Sequence, residues 1–175
     1  MSEPLDLQGR HIVLGLSGGI ACFKSAELVR ELQRQGATVQ VVMTDAACQF
    51  ITPLTMQALS GRPVYTSQWD AREPNHMPHI NLSRGADAIV VATPPATHYA
   101  LAREFLEHGV NVLVEKPLTT SSQHAEDLIE ISQKKDLVLM VGHTFEYNVA
   151  VHALKNLIDN GELGQVYYVD TARLS

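Results

Sequence analysis

Short runs of Val, Ile and Leu alternate with amphipathic helical stretches along the whole chain, and this alternation constrains the fold more than any other feature. Strands are expected at His11–Leu16, Val39–Met43, Val64–Thr66, Ala88–Ala92, Asn111–Val114 and Leu137–Val141. Helices are expected at Ile20–Gln35, Thr52–Leu59, Thr97–His108, Ser121–Lys134 and Val149–Asn160. Within Ser25–Arg34 the apolar Ala26, Leu28, Val29 and Leu32 fall on one helical face, with charged residues opposite. Gly36, Gly109 and Gly161 follow helices, where a left-handed residue commonly ends the turn, and Ser121 is placed to cap one. Strands this apolar, separated by helices, need cover on both faces and so predict a parallel sheet. Right-handed crossovers then give a single doubly wound α/β/α domain with strand order 3-2-1-4-5-6.

Composition narrows the function classes. The 175 residues are 45% apolar and 18% charged, which suits one soluble core. A net charge of −6 argues against nonspecific binding to nucleic acid, which relies on clustered Lys and Arg. No apolar run is long enough to span a bilayer, and Met1–Gln8 lacks the features of a secretion signal. A cytoplasmic location is therefore expected, with Cys22 and Cys48 as reduced thiols rather than a disulfide. The polar stretch Trp69–Met77 reads as a surface loop.

Gly15-Leu16-Ser17-Gly18-Gly19-Ile20 joins the first strand to the first helix. Glycines let backbone amides turn toward an anion, Ser17 offers a hydroxyl, and the helix N-terminus adds positive potential. The spacing is not G-x-G-x-x-G, so the dinucleotide fingerprint is missing. Two readings stay open: a phosphate-binding loop, and a tight turn that needs glycine only for packing.

A longer ordered series extends from this loop. Ser17-Gly18-Gly19-Ile20-Ala21 is followed by Val42-Met43-Thr44-Asp45-Ala46-Ala47, by Phe50-Ile51-Thr52-Pro53-Leu54, by Gln57-Ala58-Leu59-Ser60-Gly61 and by Pro78-His79-Ile80-Asn81-Leu82. Residues 11–91 thereby resemble the flavin mononucleotide domain of the flavin-containing cysteine decarboxylases, of the phosphopantothenoylcysteine type. The resemblance implies a flavodoxin-like sheet, with Ser17, Gly18, Gly19 and Ile20 at the flavin phosphate and Thr44 and Phe50 beside the flavin. It makes His79 the counterpart of the family's catalytic histidine, although read bare His79 is a capping or half-buried residue. The pattern then breaks. Thr93-Pro94-Pro95-Ala96-Thr97-His98 stands where the family carries Pro-Ala-Ser-Ala-Asn-Thr, so Thr97 replaces an asparagine that serves substrate and flavin. The family's methionine–asparagine motif and reactive-cysteine flap do not follow.

A second series begins before the first has ended. Ala92-Thr93-Pro94-Pro95-Ala96-Thr97-His98, Val112-Leu113-Val114-Glu115-Lys116-Pro117-Leu118 and Leu139-Met140-Val141-Gly142-His143-Thr144 lie in order. Residues 86–174 thereby resemble the second half of the Rossmann domain in the glucose–fructose oxidoreductase and inositol dehydrogenase family. The resemblance implies that Lys116 meets the nicotinamide ribose and substrate, that Thr93 lies on the cofactor side, and that the Lys116–Pro117 bond is cis. From the residues alone, Glu115 and Lys116 read equally well as a solvated strand end. The family's first-strand glycine fingerprint is missing, and Asp45 falls one position late for the acid that holds an adenosine ribose. Val166–Leu174 matches the start of that family's second domain, so it is expected as an orphan strand.

The two series meet at Ala86-Asp87-Ala88-Ile89-Val90-Val91 with no linker. The economical reading is a recombined or engineered chimera: residues 1–87 decarboxylase-type, 88–164 dehydrogenase-type, and 165–175 left over. The leading functional expectation is a flavin mononucleotide or phosphate binder, with His79 and Lys116 as vestiges of catalysis and NAD not expected. A nicotinamide-dependent oxidoreductase and a scaffold that binds nothing are the alternatives. The orphan strand is expected either to fold back against the domain's own surface or to pair with a second chain as a homo-oligomer.

Overall fold

A computed structural model describes residues 6–19, 22–66 and 85–171. Its sheet has five parallel strands: β1 (His11–Leu16), β2 (Thr38–Met43), β3 (Ala88–Ala92), β4 (Asn111–Val114) and β5 (Leu139–Val141). They lie in the order β2-β1-β3-β4-β5. Five of the six expected strands are there, in the expected order. The remaining one, Val64–Thr66, is reduced to a single parallel bridge between Val42 and Tyr65. Pro63 precedes it, and a proline has no amide to add to a ladder.

The helices are α1 (Cys22–Arg34), α2 (Asp45–Cys48), α3 (Pro53–Ser60), α4 (Pro95–Glu107), α5 (Ser122–Lys134) and α6 (Val149–Asp159), with a 3-10 turn at Thr144–Tyr147. Gly36, Gly109 and Gly161 have φ of 92°, 81° and 72°, as their positions after helices require. Ser121 occupies the N-cap position of α5 without a side-chain bond to the helix, so its capping role is not realised. α2 was not anticipated. It is one turn long, too short for an apolar period, and Thr44 nucleates it by accepting a hydrogen bond from Ala47 N at 3.2 Å.

Two apolar clusters face away from the sheet on opposite sides. Leu14, Leu16, Val39, Val41 and Met43 pack with Val29 of α1 and Met56 of α3. Val13, Ile89, Val91, Val112 and Val114 pack with Leu106 of α4 and Leu128 of α5. The parallel register Ile12↔Val39, Leu14↔Val41 and Leu16↔Met43 keeps same-face residues side by side. The register Val13↔Ile89 and Gly15↔Val91 does so on the other face. The doubly wound arrangement is thus confirmed.

The seam between the two sequence series is an ordinary strand pair, β1 beside β3. At its N-terminal end Asp87 accepts from His11 N at 2.8 Å and from the Arg10 guanidinium at 2.7 Å. The Asp87 carbonyl accepts from Asn111 Nδ2 at 2.8 Å, and Asn111 Oδ1 accepts from Val138 N at 2.9 Å. One acid and one amide therefore tie β1, β3, β4 and the approach to β5 together. The hydrogen bonds from His11 N and Arg10, in that order, hold the Asp87 carboxyl below its usual range.

The chain forms two compact units, Met1–Gly142 and His143–Ser175. The second contains the 3-10 turn and α6, whose N-cap Asn148 accepts from Ala150 N and Val151 N. Residues 166–171 form no strand, contrary to the expectation for Val166–Leu174, whose last three residues lie outside the described part. A lone β-rich segment has no ladder to join, and propensity alone does not make a strand. Cys22 and Cys48 are free thiols, as expected. Among the described residues no helix is long and apolar enough to cross a membrane.

Candidate functional site

In an open parallel sheet, ligands bind beyond the C-terminal strand ends, where the chain reverses its winding direction. Here that point lies between β1 and β3. Ser17 follows β1, Thr44 follows β2, Thr93 follows β3 and Lys116 lies just past β4, so the sheet brings these four expected residues to one edge. Phe50, in the turn between α2 and α3, is 56% exposed. Ile20, His79 and the Trp69–Met77 segment lie outside the described residues.

The first loop is built tightly on one side and is open on the other. A Cβ at Gly18 would lie 2.7 Å from Ala46 Cβ and 2.9 Å from its carbonyl oxygen, so only glycine lets the loop rest on α2. A Cβ at Gly19 would meet nothing within 4 Å. Ser17 N and Ser17 Oγ both donate to the Ala92 carbonyl at 3.3 Å, which fastens the loop to the end of β3. Cys22 Sγ donates to the Ser17 carbonyl at 2.9 Å from beneath. Among the described residues, the Gly18 and Gly19 amides have no acceptor. Unengaged glycine amides at a half-open strand–helix turn can take an anion.

The other candidates are engaged in holding the edge. Thr44 N donates to Leu16 O at 3.0 Å while its hydroxyl caps α2. The Thr93 and Thr97 hydroxyls lie 2.7 Å apart, and Thr97 Oγ1 donates to Pro94 O at 2.8 Å. Thr97 is thus a strut within its own turn. Burial, followed by the charge of Asp45, pushes the Cys48 thiol up, so it is not an activated nucleophile.

At β4 the Lys116–Pro117 peptide is cis, as the resemblance implied. Lys116 is exposed, and its amide donates to Glu115 Oε2 at 3.2 Å. A Cβ at Gly142 would sit 3.3 Å from that same oxygen, so the Glu115 carboxylate lies over the end of β5. The residue that sequence reasoning passed over is His98. It is fully buried, with Nδ1 2.8 Å from the Pro117 carbonyl oxygen and Nε2 2.7 Å from that of Thr93. Among the described residues no group of His, Cys, Asp and Glu could hold a metal ion.

The sequence pattern of the Flavoprotein family matches residues 1–111, which include the loop, α2 and the β1–β3 seam. The chain belongs to the Flavoprotein family. Its relatives include the coenzyme A biosynthesis bifunctional protein CoaBC of Vibrio cholerae serotype O1, 52% identical over 117 residues, covering 67% of this chain and 29% of the relative. The CoaBC protein of Escherichia coli K12 is 50% identical over 99 residues, covering 57% of this chain and 24% of the relative. This flavoprotein chain therefore spans less than a third of the length of those relatives.

Solved structures of another kind share its fold. The UDP-N-acetylglucosamine 3-dehydrogenase GnnA from Acidithiobacillus ferrooxidans superposes with a TM-score of 0.60 at 25% identity, over 84% of this chain and 42% of that one. The WlbA dehydrogenase from Bordetella pertussis, solved with NADH and UDP-GlcNAcA, gives 0.65 at 23% identity, over 91% and 43%. The second likeness is one of fold alone.

Proposed function

We propose that the chain binds flavin mononucleotide by its phosphate at the Ser17–Ile20 loop and does not carry out decarboxylation. The supporting observation is the pair of unengaged amides at Gly18 and Gly19, at the strand–helix turn where the sheet reverses direction. Ser17 anchors that turn on β3 and Gly18 seats it on α2, so the amides are held in place before a ligand arrives. Bound flavin would supply a ring that accepts and returns electrons. Thr44, whose amide donates to Leu16 O at the end of β1, and the exposed ring of Phe50, which offers a face for stacking, would then serve the flavin ring.

Thr97 weighs against decarboxylation. Its hydroxyl is committed to Thr93 and Pro94, and it replaces the asparagine that serves substrate in the family. We further propose that the chain combines two ancestries: a flavoprotein segment up to the start of β3, and a dehydrogenase-type segment from β3 onward that carries Glu115-Lys116-Pro117. Glu115-Lys116-Pro117 at the end of β4 and the fold likeness to a sugar-nucleotide dehydrogenase support a second reading, a nicotinamide-dependent oxidoreductase using Lys116. It is the weaker one, because Asp45 is the first residue of α2 rather than the end of β2.

Titrating the chain with flavin mononucleotide and with riboflavin, followed by quenching of flavin fluorescence, tests the proposal. The phosphorylated flavin is expected to bind at least about tenfold more tightly, a difference of about 1.4 kcal/mol. Equal affinities would remove the loop as the source of binding.

A further inference from the structure

The fully buried polar residues of the described chain include one imidazole, His98 in the first turn of α4, whose two ring nitrogens both lie against backbone oxygens. Both of its ring nitrogens face backbone carbonyl oxygens, and these belong to two different strand-end turns. Thr93 follows β3 and Pro117 follows β4. A carbonyl oxygen can only accept, so the ring N–H donates to at least one of these turns, and the ring occupies the space between both. Burying an imidazole is costly unless its N–H finds an acceptor, and the carbonyl oxygens at 2.7 and 2.8 Å provide one on either side of the ring.

The contact continues to the flavin loop. Thr93, whose carbonyl oxygen lies 2.7 Å from His98 Nε2, adjoins Ala92, whose carbonyl takes both hydrogen bonds from Ser17. We propose that His98 is a positioning residue for the phosphate loop: it fixes the turn after β3 against the turn after β4, and through Ala92 sets where Ser17 and the Gly18 and Gly19 amides stand. His98 lies inside the segment that matches the Flavoprotein family, whereas Pro117 lies beyond it. The histidine thereby makes the loop of the first segment depend on the placement of the second. This inference rests on the proposed phosphate site for its effect on binding, but not for the clamp itself.

The test uses H98F and H98Q in the whole chain, read by amide hydrogen exchange without ligand and by the affinity ratio of flavin mononucleotide to riboflavin. H98F is expected to speed exchange together at Ser17, whose amide donates to Ala92, and at Glu115, whose amide donates to Val91, and to lower the ratio about tenfold; H98Q, which keeps N–H donors, should recover part of both. A purely structural histidine would lower the melting temperature and leave the ratio unchanged, and that result overturns the positioning role. If the unaltered chain discriminates between neither flavin, the site reading fails, while coupled exchange at both turns still upholds the clamp and uncoupled exchange sinks it. Should H98F not fold, the unaltered chain decides by NMR. A ring N–H proton of His98 that resists solvent exchange and correlates with the Thr93 or Pro117 carbonyl carbon upholds the clamp, and its absence overturns it.

Discussion

Adjacent glycines in the first loop have different jobs, and the difference is measurable. Gly18 is needed for space, because a methyl group there would press on the Ala46 backbone, which cannot swing aside. Gly19 faces open space. G18A is expected to cost about 1–3 kcal/mol as overpacking, and G19A to stay within about 0.5 kcal/mol. Urea unfolding of the two variants checks this, and equal losses would show that Gly18 is not wedged on α2. The sequence made both packing and phosphate binding reasonable roles for this loop; the structure shows the packing role at Gly18 and leaves Gly19 beside open space. His98 was illegible for a physical reason. Its partners are carbonyls, which every residue has, so no side-chain pattern announces them.

At the scale of elements, the strands of the sheet were readable because a doubly covered sheet demands unbroken Val, Ile and Leu, as in Ile89-Val90-Val91. The misses were elements whose existence depends on neighbours. Val64–Thr66 has β-branched residues but keeps only one bridge, and residues 166–171 have similar propensity without a ladder. The brace at the N-terminal end of the strands gives a pH signature. His11 is held below its usual range by burial first and by Arg62 second, against the opposing charge of Asp87. As pH falls below about 6.5 the unfolded chain takes up this proton first, so the fold loses stability until the folded-state value is passed. Asp87 acts lower: its depressed value contributes stability fully above about 3.8, and that contribution disappears as pH falls through the folded-state value. H11N should flatten the first decline and D87A should remove the second. Melting temperatures across a pH series read both, and parallel curves for all three chains would refute the assignment.

For the unit Met1–Gly142 as a whole, the two apolar clusters lie on opposite faces and derive mostly from opposite segments. Leu14 belongs to one and Leu106 to the other, and both are essentially unexposed. Because β1 contributes Val13 to one cluster and Leu14 to the other, neither cluster can be lost while the sheet stays intact. L14A and L106A are each expected to cost about 2–5 kcal/mol and to shift one shared transition. Calorimetry that resolved two transitions, each answering to one substitution, would show two separately folding halves.

The pairing of β1 with β3 also governs how this molecule reaches its fold. His11 and Asp87 are 76 positions apart, so the central strand cannot complete its pairing until a long excursion has been closed. Closing it costs conformational entropy before any of the sheet's contacts reward it, which places the molecule among slow, topology-limited folders. Until then β1 presents an apolar edge with one side bare. The interval before closure, rather than the finished sheet, is when this chain is most open to pairing with the wrong strand.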